Sequence, residues 1–334
     1  MRTTVIGFLL LVAAGLSSAA APTKDSLKAV KLGIQTPGVQ IPMAKLKPEA
    51  ELSVAGLPES ILAEQSIWIS NRPKNTLERI DPKTNKLADP ASGLKEPCGS
   101  AQLGFGNVWV LNCGDGTLAR IETKTGKVAK SIKTGAGGAR AGLAVSSDSM
   151  WALTDDKTTL SRIDPAQDKI VGEIRLPAGC NTMVFGESSL WVTCPAENRV
   201  LRIDPNLNVV SKRIEVSAEP FAVAVGEGAV WVFCRKEGKV ERIDPKTDKV
   251  AKTIELAVPN MNGDIAAGEG SVWVSLPGFP ISRLDPKTDK VVQQFVGEGG
   301  GFIRTSQGAV WLSNSKQETI WRLDPRRILA TLAD

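Results

Sequence analysis

The side chains that could do chemistry in this sequence are carboxylates, amines, guanidiniums and thiols, because His and Tyr are both absent. Without His there is no Ser-His-Asp or Cys-His nucleophile, no imidazole general base and no His-ligated metal. No subset of the 36 Asp and Glu residues has a spacing that identifies a catalytic pair or a metal site. The sequence therefore predicts no catalytic residue, no metal ligand and no cofactor, and it favours a binding or scaffolding role.

Four of the five cysteines form two pairs that are placed alike around a tryptophan, 11 residues before it and 3 or 4 after it. The pairs are Cys98 and Cys113 around Trp109, and Cys180 and Cys194 around Trp191. Positions symmetric about a hairpin turn face each other across the ladder, and exported proteins can keep disulfide bonds. We therefore predict that each pair forms a disulfide. The position symmetric to Cys234 about its hairpin turn is Pro220, so Cys234 is predicted to be unpaired. The alternative, a metal site with thiolate ligands, would need cysteines from different repeats.

Seven tryptophans recur every 38 to 42 residues, at Trp68, Trp109, Trp151, Trp191, Trp231, Trp273 and Trp311. An Arg-(Ile/Leu)-(Asp/Glu) element follows each of them, at Arg79, Arg120, Arg162, Arg202, Arg242, Arg283 and Arg322. Units of this length, built from short apolar runs and turns, predict the four-stranded blades of a propeller. Because both residues are spread evenly round such a ring, we interpret the tryptophans as packing between blades and the arginines as turn and surface pairing.

The fifth repeat shows the unit clearly. Alternating, β-branched segments at 221–225, 229–233, 239–243 and 249–254 predict four strands. A Gly-containing turn joins the first two strands, and an Asp-Pro-x-Thr-Asp turn joins the last two. We therefore predict an all-β fold, a seven-bladed β-propeller of four-stranded antiparallel blades, over residues 51–334.

The N-terminal segment has the pattern of a secretory signal. A charged start, an apolar run at 5–16 and small residues predict a signal peptide at residues 1–20. The apolar run is shorter than the roughly 20 residues that a membrane span needs, so an N-terminal anchor is the weaker alternative. These features predict a periplasmic or secreted protein without a membrane span.

Residues 21–50 lack the repeat and are predicted to form an arm over the surface. Closure of the ring has two candidates for the missing outer strand of blade 7. One is the segment 51–55, from the N-terminal side, and the other is 328–333, from the C-terminal end. An open ring would expose strand edges, which proteins avoid, so one or both segments are expected to close it.

Candidate binding residues lie where the repeat is least regular, in the loops that lead into the first strand of each blade. Propeller ligands usually meet the mouth of the central channel, which these loops form together with the loops between second and third strands. Our predicted ligand-binding residues there are Glu59, Arg140, Asn181, Asn262, Asp264 and Arg304. The alternative is that they are ordinary solvated loop residues. The glycine run 299–301 is not interpreted as a phosphate loop, because no helix follows it.

The partner predicted at this rim is an unknown small molecule or an envelope protein. The net charge is only +5, and Lys and Arg mostly stand beside Asp or Glu. A mixed solvated surface of this kind does not indicate a nucleic-acid partner. We expect a monomer.

The amino-acid sequence of the repeat resembles that of a known family. Gly-Glu-Gly-Ala-Val-Trp-Val at 226–232 and Val-Glu-Arg-Ile-Asp-Pro-Lys-Thr-Asp-Lys-Val at 240–250 are similar to the YVTN-type propeller repeats, and more narrowly to exported proteins of the virginiamycin B (streptogramin) lyase group. The resemblance covers all seven blades. It implies a magnesium-assisted lyase that opens a cyclic depsipeptide lactone with a catalytic His. Since this sequence has no His, no active-site residue is carried over from the family.

Overall fold

A computed structural model describes residues 31–56, 58–135, 142–155 and 158–331. Residues 32–334 form one compact unit. The predicted signal peptide and the first part of the predicted arm lie outside the described residues.

Twenty-nine strands are described, and the first two precede the blades: β1 (Gln40–Pro42) and β2 (Ala50–Ser53). Blades 1 to 4 comprise β3 (Pro58–Ala63), β4 (Ile67–Asn71), β5 (Thr76–Asp81), β6 (Lys86–Ala91); β7 (Pro97–Gly104), β8 (Asn107–Asn112), β9 (Thr117–Glu122), β10 (Val128–Lys133); β11 (Leu143–Val145), β12 (Met150–Thr154), β13 (Thr159–Asp164), β14 (Lys169–Arg175); and β15 (Met183–Gly186), β16 (Ser189–Cys194), β17 (Arg199–Asp204), β18 (Val209–Glu215). Blades 5 to 7 comprise β19 (Pro220–Gly226), β20 (Ala229–Cys234), β21 (Lys239–Asp244), β22 (Lys249–Glu255); β23 (Asp264–Gly268), β24 (Ser271–Leu276), β25 (Phe279–Asp285), β26 (Lys290–Val296); and β27 (Ile303–Ser306), β28 (Ala309–Asn314), β29 (Thr319–Leu323). Short 3-10 helices cover Met43–Lys45, Arg72–Lys74 and Pro195–Glu197, and one α-helix, α1, covers Pro325–Ala330.

The predicted seven-bladed β-propeller is confirmed. Each blade pairs its strands antiparallel in chain order, and the first strand of each blade contacts the first strand of the next round the whole ring. Ring closure comes from the N-terminal side, since β2 pairs antiparallel with β29 as the outer strand of blade 7. Residues 328–330 of the C-terminal candidate for that strand instead lie in α1, which Asp324 caps by accepting the N–H of Arg326 at 2.8 Å.

Blade 6 has a fifth strand that the sequence does not predict. The strand β1, from the predicted arm, pairs in parallel with β26 at the outer edge of the blade. Gln294 of β26 holds the segment that precedes this strand, since its backbone N–H donates to the carbonyl of Val39 at 2.8 Å. Its side-chain oxygen accepts the N–H of Ile34 at 2.8 Å, and its amide nitrogen donates to the carbonyl of Leu256 at 3.1 Å. The arm is therefore part of the β structure rather than a loose cover.

The blade tryptophans form the core between blades, as their regular spacing predicts. Six of them have no exposed surface, and Trp68 is 3% exposed. In four blades the indole N–H donates to the carbonyl of the glycine five residues earlier, at 2.9–3.0 Å. In these four blades, and in blade 3 where the indole N–H of Trp151 donates to the hydroxyl of Ser146 at 3.0 Å, the ring is buried with its polar nitrogen paired, as buried tryptophans usually require. The buried indole N–H of Trp311 has no partner among the described residues.

The repeated arginines connect one blade to the next, a role that the sequence does not reveal. In six blades the guanidinium lies 5.0–5.8 Å from the tryptophan ring of its own blade. Arg202 shows the full arrangement, since it donates to the carbonyl of Pro245 at 2.8 Å and to the carboxylate of Asp248 at 2.6 Å. Both acceptors lie in the turn between the third and fourth strands of the following blade. We call this set of contacts the inter-blade latch.

Replacement of Arg202 by Ala is expected to lower the free energy of unfolding by about 2–3 kcal/mol, because it removes charge-assisted hydrogen bonds at a mostly buried position and leaves Asp248 without its cation. The matched control is Arg213→Ala on the exposed outer strand, which should change stability by less than about 0.5 kcal/mol. Urea denaturation of both variants measures the difference. Equal effects would show that the latch contributes nothing beyond an ordinary surface arginine.

Candidate functional site

The rim of the propeller is formed by the loops that lead into the first strands and by the loops between second and third strands. In blades 2 and 4 these two loops are joined by disulfide bonds. Cys98 is bonded to Cys113 with 5.8 Å between the Cα atoms, and Cys180 is bonded to Cys194 with 4.0 Å between them. These are the pairs predicted from hairpin symmetry, and they fix the rim on that side of the ring.

Cys234 lies at the corresponding place in blade 5 and is not bonded. Its Cα partner across the ladder is Pro220, as its reflection about the turn predicts. The side chain has no exposed surface, and burial raises the pKa of the Cys234 thiol well above its ordinary value. The thiol is therefore held neutral and out of contact with solvent, which is the state of a structural rather than a reactive cysteine.

Two predicted site residues, Asp264 and Arg304, meet between blades 6 and 7. A carboxylate oxygen of Asp264 accepts from the guanidinium of Arg304 and from the N–H of Ile303, the latter at 3.0 Å. Asp264 is 7% exposed, so its charge is held mainly by these two donors. The guanidinium of Arg304 also donates to the carbonyl of Ile303 at 2.6 Å. The pair is thus a fixed element of the inner wall of the ring.

Arg304 breaks the repeat at a position that is uncharged in every other blade. The first-strand residues that pair with the blade tryptophans are Leu62, Gln102, Ala144, Val184, Ala224, Ala266 and Arg304. A position that serves only packing would be filled alike in all blades, as it is in five of them by apolar residues. The charge of Arg304 is therefore not required by the packing that this position serves in the other blades.

The glycine run beside this pair is held in place by side chains. Four successive backbone N–H groups, at residues 300 to 303, donate to side-chain oxygens at 2.7–3.2 Å. In order, the acceptors belong to Asn314, Ser275, Ser313 and Asp264. Gly299 and Gly300 have backbone φ angles of +114° and +99°, which residues other than glycine rarely adopt. The loop is thus rigid, and it needs glycine because of its backbone conformation and its close packing.

A second cluster lies on the rim between blades 5 and 6, and sequence reasoning missed its central residue. Arg235 donates to the carboxylate of Glu219 at 2.6 Å and to the side-chain oxygen of Asn262 at 2.7 Å. Its guanidinium also lies 5.1 Å from the ring of Phe221. Arg235 lies in the loop between the second and third strands of its blade. Because such loops form part of the channel mouth, this position in the chain could have identified Arg235 as a rim residue. The structure therefore brings Asn262, a predicted site residue, into contact with an arginine that remains 38% exposed.

The other predicted rim residues do not join these clusters. Glu59 lies on blade 1 near Arg72, whose pKa is raised by the hydrogen bond that it donates to Glu96 and, to a smaller extent, by the charges of Glu96 and Glu59. Asn181 lies in blade 4 and is 9% exposed. Its side-chain oxygen accepts from the hydroxyl of Thr193 at 2.6 Å, so it belongs to a local network. Arg140 lies outside the described residues.

Two features are absent from the described residues. No group of three or more Cys, Asp or Glu side chains there is arranged to hold a metal ion. Within the same residues, no helix combines the length and hydropathy needed to cross a bilayer.

The fold and rim define a protein of the seven-bladed β-propeller class. Among solved structures the chain is similar to selenomethionine-substituted virginiamycin B lyase from Staphylococcus aureus, with a TM-score of 0.69 and 18% identity over 82% of this chain and 98% of that one. A catalytically inactive variant of the S. aureus lyase with quinupristin has a TM-score of 0.68 and 18% identity, over 82% of this chain and 98% of that one. A streptogramin B lyase structure has a TM-score of 0.69 and 16% identity, over 82% of this chain and 96% of that one. No protein-family model and no curated protein sequence matches the chain. At these identities the likeness shows the fold alone.

Proposed function

We propose that the chain is an exported β-propeller that binds a small molecule or an envelope protein at the rim of blades 5 to 7. The observation that supports this most strongly is the ion pair of Asp264 and Arg304 beside the immobilised glycine loop. Arg304 is charged at a repeat position that is uncharged in the other six blades, and the loop, held by four hydrogen bonds, has little freedom to lose on binding. Preorganised polar groups on rigid elements are what a binding site requires.

The neighbouring Arg235 cluster extends the proposed site. Arg235 is ordered by Glu219, Asn262 and the face of Phe221, while more than a third of its side chain remains exposed. A guanidinium held in this way can offer its remaining N–H groups to a carboxylate or carbonyl of a ligand. It remains a prediction that Arg140, Glu59 and Asn181 also contact the ligand.

Export is the second part of the proposal. Two disulfides are compatible with a periplasmic or secreted protein, because thiols in the cytosol are usually kept reduced. The apolar N-terminal segment supports the same location as a signal peptide. We propose that the exported chain acts as a monomer.

The test begins with a thermal-shift screen of the wild-type protein against metals, quinones, sugars and peptides. For any compound that binds, Arg235→Ala with Arg304→Ala is expected to weaken binding at least about tenfold, because each loss removes charge-assisted hydrogen bonds. Calorimetry measures the affinity. The matched control is Arg202→Ala with Arg242→Ala, which removes two latch arginines and should leave affinity unchanged in the protein that remains folded. The reverse pattern would contradict the proposal.

The alternative is a divalent-metal-assisted lyase or lactone-processing hydrolase, and the same preparation tests it. Incubation with a streptogramin B antibiotic and magnesium is expected to give no linear product by mass spectrometry. The physical reason is that a general base typically contributes roughly 10²–10⁴-fold and this sequence has no imidazole to supply it. Rapid linearisation that chelation abolishes would overturn the binding proposal in favour of the lyase.

A further inference from the structure

The inter-blade latch lacks its aspartate at the junction between blades 1 and 2. In three junctions a carboxylate from the next blade completes it, with Arg120–Asp168 at 3.1 Å, Arg202–Asp248 at 2.6 Å and Arg242–Asp289 at 3.1 Å. The corresponding residue facing Arg79 is Gly126, which has no side chain. Arg79 consequently forms no ion pair with any residue of the described chain. Its hydrogen bonds are long, 3.3 Å to the carbonyl of Lys124 and 3.5 Å to the hydroxyl of Ser66.

A cavity of about 190 Å³ lies at this junction. The residues that line it include Arg79, Trp68, Leu62, Leu103 and Lys124. The cavity is formed by the turns between first and second strands and between third and fourth strands. It is therefore on the face opposite the rim, and it is separate from the site proposed above.

The turn of blade 1 helps to open this space. Ala63 pairs with Ile67, so three residues form the turn, whereas Gly226 pairs with Ala229 in blade 5 and leaves two. The indole N–H of Trp68 has no hydrogen-bond acceptor within the described part of the chain, unlike its equivalents in four other blades. The cavity is thus lined by two side chains with N–H donors, Arg79 and Trp68, whose counterparts in most other blades have a carboxylate or a hydrogen-bond acceptor as partner.

Glu64 is the only acidic side chain that lines the cavity among the described residues. It is half-buried, and burial raises its pKa above the ordinary value. The hydroxyls of Ser66 and Thr123 add polar groups to the same lining. The balance of charge in the cavity is therefore positive, from Arg79 and Lys124.

We propose that this cavity binds a small carboxylate that carries an apolar body. The carboxylate would take the place beside Arg79 that aspartate occupies in blades 3, 5 and 6, through a charge-assisted and geometrically matched pair of hydrogen bonds. The apolar body would lie against Leu62, Leu103 and the face of Trp68. Concave sites with apolar walls and a few placed polar groups are the usual form of small-molecule sites.

The sharpest test supplies the missing carboxylate from the protein itself, with Gly126→Asp. The equivalent aspartates have φ of +53°, +57° and +55°, and Gly126 has φ of +69°, so aspartate fits the backbone conformation that this turn already has. A Cβ at Gly126 would lie 3.6 Å from its nearest neighbour, in Ala91, which is ordinary contact. The variant should therefore fold, and a higher Tm than that of the wild type is the expected sign that its carboxylate reaches Arg79.

Benzoate is the probe, titrated calorimetrically against the full-length protein. Wild type is expected to bind it with a Kd on the order of 1 mM, as for a small ligand with one ion pair. Gly126→Asp should weaken binding at least about tenfold, and Gly126→Asn, which fills the same space without charge, should weaken it less. Arg79→Gln should also remove binding, whereas the matched latch variant Arg242→Gln should retain it. Benzamide, the neutral analogue, should not bind.

Three results would overturn the proposal. The first is no saturable binding of benzoate to the wild type at several times the expected Kd. The second is unchanged affinity in Gly126→Asp or in Arg79→Gln, either of which would place benzoate elsewhere. The third is tighter binding of inorganic phosphate than of benzoate, which would show a simple anion site and make the carboxylate assignment wrong. None of these results bears on the rim, so the two proposals fail separately.

Discussion

Removal of both disulfide bonds is expected to lower the free energy of unfolding by about 6 kcal/mol. Each bond closes a loop of about 15 residues, and the chain-entropy model assigns roughly 3 kcal/mol to such a loop. The bonds lie in different blades, so their effects should be nearly additive. The variants are Cys98→Ala with Cys113→Ala, Cys180→Ala with Cys194→Ala, and all four together. Urea denaturation of the three proteins and the wild type measures the sum.

Thiol titration of the wild-type protein checks the pairing of the cysteines. Without reductant, the native exported protein should show no reactive thiol, because Cys234 is buried and its pKa is raised. Unfolding without reductant should expose one thiol, and peptide mapping should assign it to Cys234. Several titratable thiols, or a linkage that includes Cys234, would show that hairpin symmetry gives the wrong pairs.

The number of blades could be predicted from the sequence because each blade has the same physical need. One tryptophan fills the space between neighbouring sheets, and the glycine and aspartate turns set the backbone at the strand ends. The closing of the ring could not be predicted, since short apolar segments at both ends fit the same edge. Asp324-Pro325 begins a helix, whereas Asp244-Pro245 begins a turn. The residues that follow decide between them, because Arg-Arg-Ile-Leu-Ala favours helix and Lys-Thr-Asp favours a left-handed turn.

The candidate site could be predicted only in part, for a related reason. Asp264 and Arg304 are visible as departures from the repeat, but their contact joins residues 40 positions apart. The side chains that hold the glycine loop act over 11 to 39 positions, and neither spacing nor composition reports such contacts. Asn181 shows the opposite case. It is a polar rim residue in the sequence, yet its side chain accepts a hydrogen bond from Thr193 of its own blade and it is almost fully buried.

A substitution in the glycine run 299–301 is the second change that we expect to have a large effect on stability. Gly300→Ala is expected to lower the free energy of unfolding by about 3–5 kcal/mol, from a left-handed φ that alanine rarely adopts together with overpacking. The φ of Gly300 is +99°, and a Cβ there would meet the carbonyl oxygen of Leu276 well inside contact distance. That neighbour is backbone of blade 6 and cannot rotate away as a side chain would. Urea denaturation measures the loss, and the folded variant should also bind any rim ligand more weakly.

Gly228→Ala is the matched control, because it shares the left-handed conformation but not the crowding. Its φ is +77°, and no atom lies within 4 Å of the added Cβ. It should therefore cost only about 1 kcal/mol, the conformational part of the effect. The difference between the two variants isolates the contribution of close packing at the rim. If both variants lose the same stability, the loop relaxes freely round its hydrogen bonds, and the rigidity on which the proposed binding site depends is absent.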